Sequence, residues 1–167
     1  MASYDLLVDL YNVDFQKRNY SFGNIGTYDE GFLIGWNYGD GSITQRADNG
    51  KHQYGFVFGE SDIKNGIYDK IRDTLTSITG EKYNPTARNR GKQNWIEISV
   101  INHKLDNLFK KYGFSGKQHG LPNSMFTDMS DSFNRGFIDG LFSADASINN
   151  SNKYKSGEKF IFASSRK

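Results

Sequence analysis

Two aspartates, Asp40 and Asp145, stand at equivalent places in two similar segments of the chain, at an offset of 145 − 40 = 105 residues. Carboxylate oxygens bind hard divalent cations such as magnesium, which often shares its coordination sphere with substrate phosphates. A divalent cation beside a scissile phosphate activates water and stabilises the leaving oxygen. The pair therefore predicts metal-dependent phosphodiester chemistry, on condition that the fold brings the two carboxylates together.

Small residues at every fourth position precede each aspartate. They are Gly31, Gly35 and Gly39 in the first segment, and Gly136, Gly140 and Ala144 in the second. This spacing places them on one stripe of a helix, which allows two helix backbones to approach closely. We expect the two helices to pack on each other and to end together. Two carboxylates at that end are destabilised by the negative ends of the helix dipoles and by their mutual repulsion. A bound cation offsets both effects.

The two segments resemble the paired motifs of the LAGLIDADG homing endonucleases, particularly the double-motif kind carried within inteins. The matching residues are 33–41, Leu-Ile-Gly-Trp-Asn-Tyr-Gly-Asp-Gly, and 138–146, Ile-Asp-Gly-Leu-Phe-Ser-Ala-Asp-Ala. The resemblance implies an α+β fold in which an αββαββα pseudo-repeat is followed by an incomplete second repeat. It also implies antiparallel sheets that form a DNA-binding saddle and motif helices that meet at a pseudo-twofold axis.

The resemblance implies a site-specific double-strand DNA endonuclease, intein- or intron-associated, that hydrolyses phosphodiester bonds with metal-activated water. The implied cofactor is Mg²⁺, for which Mn²⁺ can substitute. Its implied ligands are Asp40 and Asp145 with the adjacent Gly39 and Ala144, whereas Asp139 is not an implied functional acid. The alternatives are a non-catalytic or degenerate DNA- or RNA-binding module, and one fragment of a split endonuclease. A third interpretation is an α+β domain with coincidental Gly-Asp-Gly turns.

The pattern along the chain predicts four regions. They are residues 1–28, an arm or the remnant of a preceding domain; 29–114, the first pseudo-repeat; 115–130, a connector; and 131–167, a partial second pseudo-repeat. Predicted helices cover 29–40, 62–79, 103–112 and 131–144, with Thr27 or Asp29 capping the first and Asp131 or Ser132 the last. Predicted strands cover 42–48, 53–59, 81–88, 94–101, 147–148 and 159–164, with Asn49-Gly50 as a hairpin turn.

Polar and basic residues on the predicted hairpins are candidates for DNA contact, because a two-stranded ribbon fits the major groove. In the first pseudo-repeat they are Thr44, Arg46, Lys51, His52 and Gln53 on an exposed face, and Arg88, Arg90 and Lys92 at a basic tip. In the second they are Asn149, Lys153, Lys155 and Lys159. A polar outer face is also what an antiparallel sheet presents to water, and both interpretations stay open.

The connector contains two further candidates for the chemistry. In intein endonucleases a comparable connector ends in Ile-Pro or Leu-Pro, with an assisting lysine three residues before the proline. Here Leu121-Pro122 matches, His119 occupies the lysine position, and Lys117 lies two residues upstream. A histidine titrates near neutral pH whereas a lysine stays charged. Lys117 and His119 are both candidates to assist, and the alternative is that both are plain linker residues.

The composition limits the partners and the compartment. The net charge is only +2, from 21 basic and 19 acidic residues, so a surface for double-stranded DNA has to be local. No cysteine is present, which excludes disulfides and thiolate metal sites. Without a signal segment or a long apolar run we expect a cytoplasmic protein, bacterial, archaeal or from a phage, that is not secreted and has no membrane partner.

Half of the second pseudo-repeat is expected to be missing, because only Arg166 and Lys167 follow the equivalent of Ser61. The missing part is expected from a second chain or from a homodimer, unless the chain is a degenerate gene product or a self-sufficient minimal form. Neither Met1 nor the final Ser164-Ser165-Arg166-Lys167 supplies the groups that protein splicing needs. We therefore expect that the chain does not splice by itself.

Overall fold

The computed structural model describes residues 22–46, 50–90, 93–116, 120–149 and 159–162. The helices are α1 (Tyr28–Asp40), α2 (Glu60–Lys64), α3 (Ile67–Thr79), α4 (His103–Lys111) and α5 (Asp131–Asp145), with a 3₁₀ turn at Asn123–Phe126. The strands are β1 (Ser42–Gln45), β2 (His52–Phe58), β3 (Thr86–Arg90), β4 (Gln93–Val100), β5 (Ala146–Asn149) and β6 (Lys159–Phe162). The predicted α+β class and the order of its elements are confirmed, except that two helices stand where one was expected.

The larger of the two described sheets is antiparallel and has four strands in the order β1-β2-β4-β3. Its register pairs Thr44 with Gln53, and Gly55 with both Ser42 and Ser99. Because alternate residues of a strand point to opposite faces, these positions share one face, called here the open face. A separate two-stranded sheet pairs β5 with β6, with Ile148 opposite Phe160.

The other face of the four-stranded sheet is buried under the helices. Tyr54, Phe56 and Phe58 of β2 are 0–2% exposed. The Trp36 ring of α1 stacks on Phe58 at a centroid distance of 5.7 Å, and the Phe109 ring of α4 lies 4.6 Å from that of Tyr54. Aromatic burial of this kind contributes strongly to core stability, and it fixes α1 and α4 against the sheet.

Side chains at the helix starts set where the two motif helices begin. Thr27 caps α1: its Oγ1 accepts from the Glu30 backbone amide at 3.3 Å, and its own amide donates to Glu30 Oε2 at 2.8 Å. This reciprocal pair satisfies two amides of the first turn. The prediction that Asp131 or Ser132 caps α5 is wrong, because Ser130 Oγ accepts from the Phe133 amide at 3.0 Å.

The predicted helix over 62–79 is divided in two by Asn65 and Gly66. Gly66 has φ of +76°, a left-handed conformation that glycine adopts without strain. Asp62 does not start the long helix; its Oδ2 accepts from the Gly59 amide at 2.7 Å and so supports the first turn of α2. Ile63 is consequently 43% exposed rather than part of the core.

The strand β3 begins later than predicted and includes residues that were expected in a turn. It starts at Thr86, directly after Pro85, which has no amide hydrogen to donate to a sheet. Arg88 and Arg90 are therefore strand residues opposite Trp95 and Gln93. Among the described residues, no helix is long and apolar enough to cross a membrane.

Candidate active site and nucleic-acid interface

Four glycines allow the backbones of α1 and α5 to touch. A Cβ added at any of them would lie closer than 3.0 Å to a carbonyl oxygen of the other helix, a distance that real Cβ atoms do not show. The pairs are Gly31 with Phe133, Gly35 with Phe137, Gly136 with Tyr28, and Gly140 with Phe32. The predicted glycine interface is confirmed at these positions. Gly39 is buried and Ala144 half-buried, one turn further on.

The pairs also fix the direction and symmetry of the two helices. Contacts advance along both helices in the same sense, so α1 and α5 are parallel. Tyr28 and Phe32 correspond to Phe133 and Phe137 at the 105-residue offset, and each set faces the other helix's glycines. The interface is therefore a pseudo-twofold one, as the paired motifs predict.

Parallel packing brings the last residues of both helices to one end of the pair. α1 ends at Asp40, whose side chain is exposed, and α5 ends at Asp145. Both positions carry carboxylates, and the carbonyls of the last helical turns point the same way. This donor set consists of oxygen only, which suits magnesium or manganese and offers no nitrogen or sulfur for zinc. Within the described ranges, no three His, Asp or Glu residues form a further group that could hold a metal.

The end of α1 is attached to the first hairpin by Asn37, a residue that the sequence did not single out. Asn37 is 3% exposed, and its Nδ2 donates to the Gly55 carbonyl at 2.9 Å. A longer contact of 3.5 Å reaches the Ser42 carbonyl. Ser42 and Gly55 face each other in the β1–β2 ladder, so one amide spans both strands next to Asp40. A polar asparagine within a largely apolar motif is the sequence feature that could have indicated this contact.

The connector starts close to the same end. Gly41 and Ser42 line a cavity of about 210 Å³ together with Gly116, the last described residue before the gap. The catalytic candidates Lys117 and His119 lie outside the described residues, as do Lys92, Lys153 and Lys155. Asn149 and Lys159 are placed opposite each other by the β5–β6 ladder.

The open face of the sheet collects most of the remaining DNA-contact candidates. Thr44 and Gln53 form a cross-strand pair, and the Arg46 amide donates to the Lys51 carbonyl at 2.9 Å, which extends the ladder to the hairpin tip. By alternation, Arg46 and Lys51 lie on the same face as Thr44 and Gln53. Arg88 shares this face at the opposite edge, where its Nε contacts Glu97 Oε2 at 3.1 Å.

The predicted placement of His52 on the exposed face is wrong. His52 is two residues before Tyr54 and so points to the helix side of the sheet, where its Nδ1 lies 2.6 Å from Asp106 Oδ1. Tyr54 donates to the same oxygen at 2.9 Å, and Lys110 Nζ lies 2.6 Å from Asp106 Oδ2. Burial disfavours the Asp106 carboxylate, but these three partners outweigh it and lower its pKa. Burial and the hydrogen bond to Asp106 raise the pKa of Tyr54.

Asp139 joins the two motif helices at the end away from Asp40. The Tyr28 hydroxyl of α1 donates to Asp139 Oδ2 of α5 at 2.7 Å. This hydrogen bond, with a smaller effect of burial, raises the pKa of Tyr28 to about 12. Sequence reasoning excluded Asp139 as a functional acid but did not find this bond, since 111 residues separate the two partners.

Comparisons with known proteins give structural matches alone. No protein-family model and no curated protein matches the chain. Mesophilic variants of the homing endonuclease I-DmoI match at 15% identity and a TM-score of 0.46, over 72% of this chain and 58% of theirs. I-DmoI in complex with DNA and Mn matches at 16% identity and a TM-score of 0.43, over 72% of this chain and 63% of that one.

The homing endonuclease I-WcaI, bound to its DNA recognition sequence, matches at 15% identity and a TM-score of 0.48, over 87% of this chain and 65% of that one. The chain thus spans about three fifths of the length of the first of these proteins. All three are homing endonucleases, the class of protein that the paired motifs resemble. The fold itself is established by the element order, the antiparallel sheet and the glycine-packed helix pair.

Proposed function

We propose that this chain is a site-specific double-strand DNA endonuclease of the homing type. The observation that carries the proposal is the contact of four glycines with carbonyls of the opposite helix, which makes α1 and α5 parallel and joins their carboxylate-bearing ends. One phosphodiester bond of each DNA strand is hydrolysed at this end. The pseudo-twofold relation of the helices suits a duplex, whose two strands are also related by a twofold axis.

Asp40 and Asp145 are the proposed ligands of Mg²⁺, or of Mn²⁺ in its place, with Gly39 and Ala144 beside them. A bound divalent cation supplies positive charge that acidifies water and stabilises the leaving oxygen. The two carboxylates stand at the negative poles of parallel helices, an arrangement that favours a cation over two free acids. Lys117 or His119 of the connector is proposed to assist proton transfer.

The open face of the four-stranded sheet is the proposed DNA surface. Arg46 and Lys51 are suited to phosphates, and Thr44 and Gln53 can hydrogen-bond base edges in the major groove. The other proposed contacts are Arg88, Arg90 and Lys92 in the first pseudo-repeat, and Asn149, Lys153, Lys155 and Lys159 in the partial second one. His52 is not one of the proposed DNA contacts, because its contact with Asp106 places it on the opposite face of the sheet.

The test is cleavage of a randomised duplex DNA library in Mg²⁺ or Mn²⁺, with Ca²⁺ as the non-supporting metal. Asp40→Asn and Asp145→Asn are each expected to slow cleavage on the order of 10²-fold or more, while DNA binding persists. Asp139→Asn is the matched control, because it removes an acid from the same helix pair away from the joined ends. Cleavage that survives in both Asp40→Asn and Asp145→Asn would contradict the metal assignment.

A second candidate, one fragment of a split endonuclease, is favoured by the exposure of α5. Ile138 is 48% and Phe142 38% exposed, whereas Leu33 and Asn37, their counterparts in α1, are 0% and 3% exposed. We propose that a second chain, or a second copy of this one, covers this side of α5. Light scattering with and without target DNA measures the mass. Cleavage by a monomer would exclude the split form. Binding without cleavage would favour either a missing partner segment or a non-catalytic DNA- or RNA-binding module.

A further inference from the structure

The two motif helices end differently. Asn37 of α1 is buried and donates to the Gly55 carbonyl at 2.9 Å. The residue 105 positions later is Phe142, which is 38% exposed. Within the described residues, a buried side-chain amide joins the last turn of α1 to the hairpin that follows it, whereas α5 has phenylalanine at the corresponding position.

Gly41 provides the space that this arrangement needs. Its amide donates to the Asn37 carbonyl at 3.0 Å, and an added Cβ would come closer than 3.0 Å to the side chain and Cα of Asn37. The second motif has Ala146 at the corresponding position, which carries such a Cβ. Asn37 with Gly41 is thus replaced as a pair by Phe142 with Ala146, and α5 has to end in another way.

We propose that Asn37 is a positioning residue that holds Asp40 in a fixed position relative to the first hairpin. Loss of Asn37 consequently slows the cutting of one DNA strand more than the cutting of the other. This inference rests on the endonuclease function proposed above. Asp40 is the exposed last residue of α1, and the bond from Asn37 to Gly55 is a buried polar link between the last turn of this helix and β2. Displacement of a reacting group by about 1 Å can cost about 10²-fold in rate.

The experiment uses a duplex recovered from the library, with a different fluorophore on the 5′ end of each strand, and the full chain under single-turnover conditions. Asn37→Leu keeps the number and branching of the side-chain heavy atoms and removes the donor. We expect it to slow one strand about 10- to 100-fold, so that a nicked intermediate accumulates. The dissociation constant for DNA should change about threefold or less, since a positioning residue acts on the rate of the chemical step.

Asn134→Leu is the matched control. Asn134 is 9% exposed and its Nδ2 donates to the Met125 carbonyl at 2.9 Å, so it has the same kind of bond at the other end of the helix pair. It is expected to lower the melting temperature similarly and to leave the ratio of the two strand rates unchanged. Asn37→Ser retains a donor and replaces Asn37→Leu where the leucine variant fails to fold; it should show the same strand bias, to a smaller degree.

The outcomes separate the two proposals. A wild-type chain without cleavage, or cleavage indifferent to Asp40→Asn, would overturn the endonuclease function and this inference with it. Cleavage that needs Asp40, but is slowed equally on both strands by the Asn37 variants, would overturn the inference alone. A strand bias of the same size in Asn134→Leu would also overturn it.

Discussion

Asp106 accepts hydrogen bonds at the edge of the first hairpin, where it joins β2 to α4. Its oxygens lie 2.6 Å from His52 Nδ1, 2.9 Å from the Tyr54 hydroxyl and 2.6 Å from Lys110 Nζ. The Asp106 side chain is 22% exposed. A partly buried acceptor with several partners is sensitive to loss of charge, so this residue should couple the stability of the hairpin to pH.

We expect Asp106→Asn to destabilise the protein at pH 7 by about 1–3 kcal/mol, because hydrogen bonds to a charged group are lost. The folded-state pKa of Asp106 is lowered. Its contribution is therefore present above the unfolded pKa of about 3.9 and is lost as the pH falls through the folded-state pKa. Urea unfolding at pH 7 and at about pH 3 measures the difference, which should shrink on acidification.

Asp69→Asn is the control for this prediction, because Asp69 pairs with Arg72 at 2.9 Å with its carboxyl side chain 57% exposed. An exposed ion pair of this kind contributes little to stability. An Asp106→Asn difference that stays constant from pH 7 to pH 3 would show that lost packing, and not the lost charge, is responsible.

At the scale of elements, the α1–α5 interface depends on the absence of side chains. Gly31→Ala places a methyl group against the Phe133 carbonyl, and Gly136→Ala places one against the Tyr28 carbonyl. We expect each substitution to destabilise the protein by about 1–3 kcal/mol, because the helices have to move apart. The higher helix propensity of alanine, about 1 kcal/mol, opposes this loss. The double variant should cost less than the sum, because one separation relieves both overlaps.

Gly59→Ala is the control for the interface glycines. Gly59 has φ of −84°, and an added Cβ would meet its nearest neighbour at an ordinary 3.5 Å. Gly59 precedes the first residue of α2, where alanine is less favourable than glycine, so the melting temperature of Gly59→Ala should fall less than that of either interface variant. If Gly31→Ala and Gly136→Ala leave the melting temperature unchanged, the close approach of α1 and α5 is wrong.

The hydrogen bond from Tyr28 to Asp139 joins the same two helices and should respond to alkaline pH. The pKa of Tyr28 is raised from 10.0 to about 12, so the fold favours the protonated phenol. The stabilisation is complete below the unfolded pKa and is lost as the pH rises from about 10 towards 12. Absorbance titration of the tyrosinate band should lose a late-titrating tyrosine in Tyr28→Phe. In Asp139→Asn, Tyr28 should titrate earlier; unchanged titration there would refute the assignment.

For the whole molecule, the sequence predicted the elements and the helix pair better than the contacts that join distant segments. The glycine stripe and Asn49-Gly50 are local signals, and the glycine interface and the first hairpin follow from them. The face of His52 depends on strand register, in which one residue reverses the direction of a side chain. Bonds from Asn37 to Gly55 and from Tyr28 to Asp139 depend on how whole elements pack, which no local pattern encodes.

The open face of the sheet makes a prediction about binding by the whole molecule. Lys51, at the exposed hairpin tip, is proposed to meet a phosphate, and Gln53 a base edge. Lys51→Ala should weaken binding to all duplexes alike and reduce the slope of log K against log salt by about 1. Gln53→Ala should instead weaken binding to the selected site, by about 1–3 kcal/mol, and leave the slope unchanged.

Lys104→Ala is the matched control, since Lys104 lies on α4, behind the sheet, where its Nζ donates to the Thr79 carbonyl at 3.1 Å. It removes the same charge from the opposite side of the sheet. Fluorescence anisotropy between about 50 and 200 mM salt measures the slopes. If Lys104→Ala reduces the slope as much as Lys51→Ala does, DNA responds to the net charge of the chain, and the open face is not its binding surface. A reduction confined to Lys51→Ala, together with site-selective loss in Gln53→Ala, would place the duplex on that face, next to the end of α1 that carries Asp40.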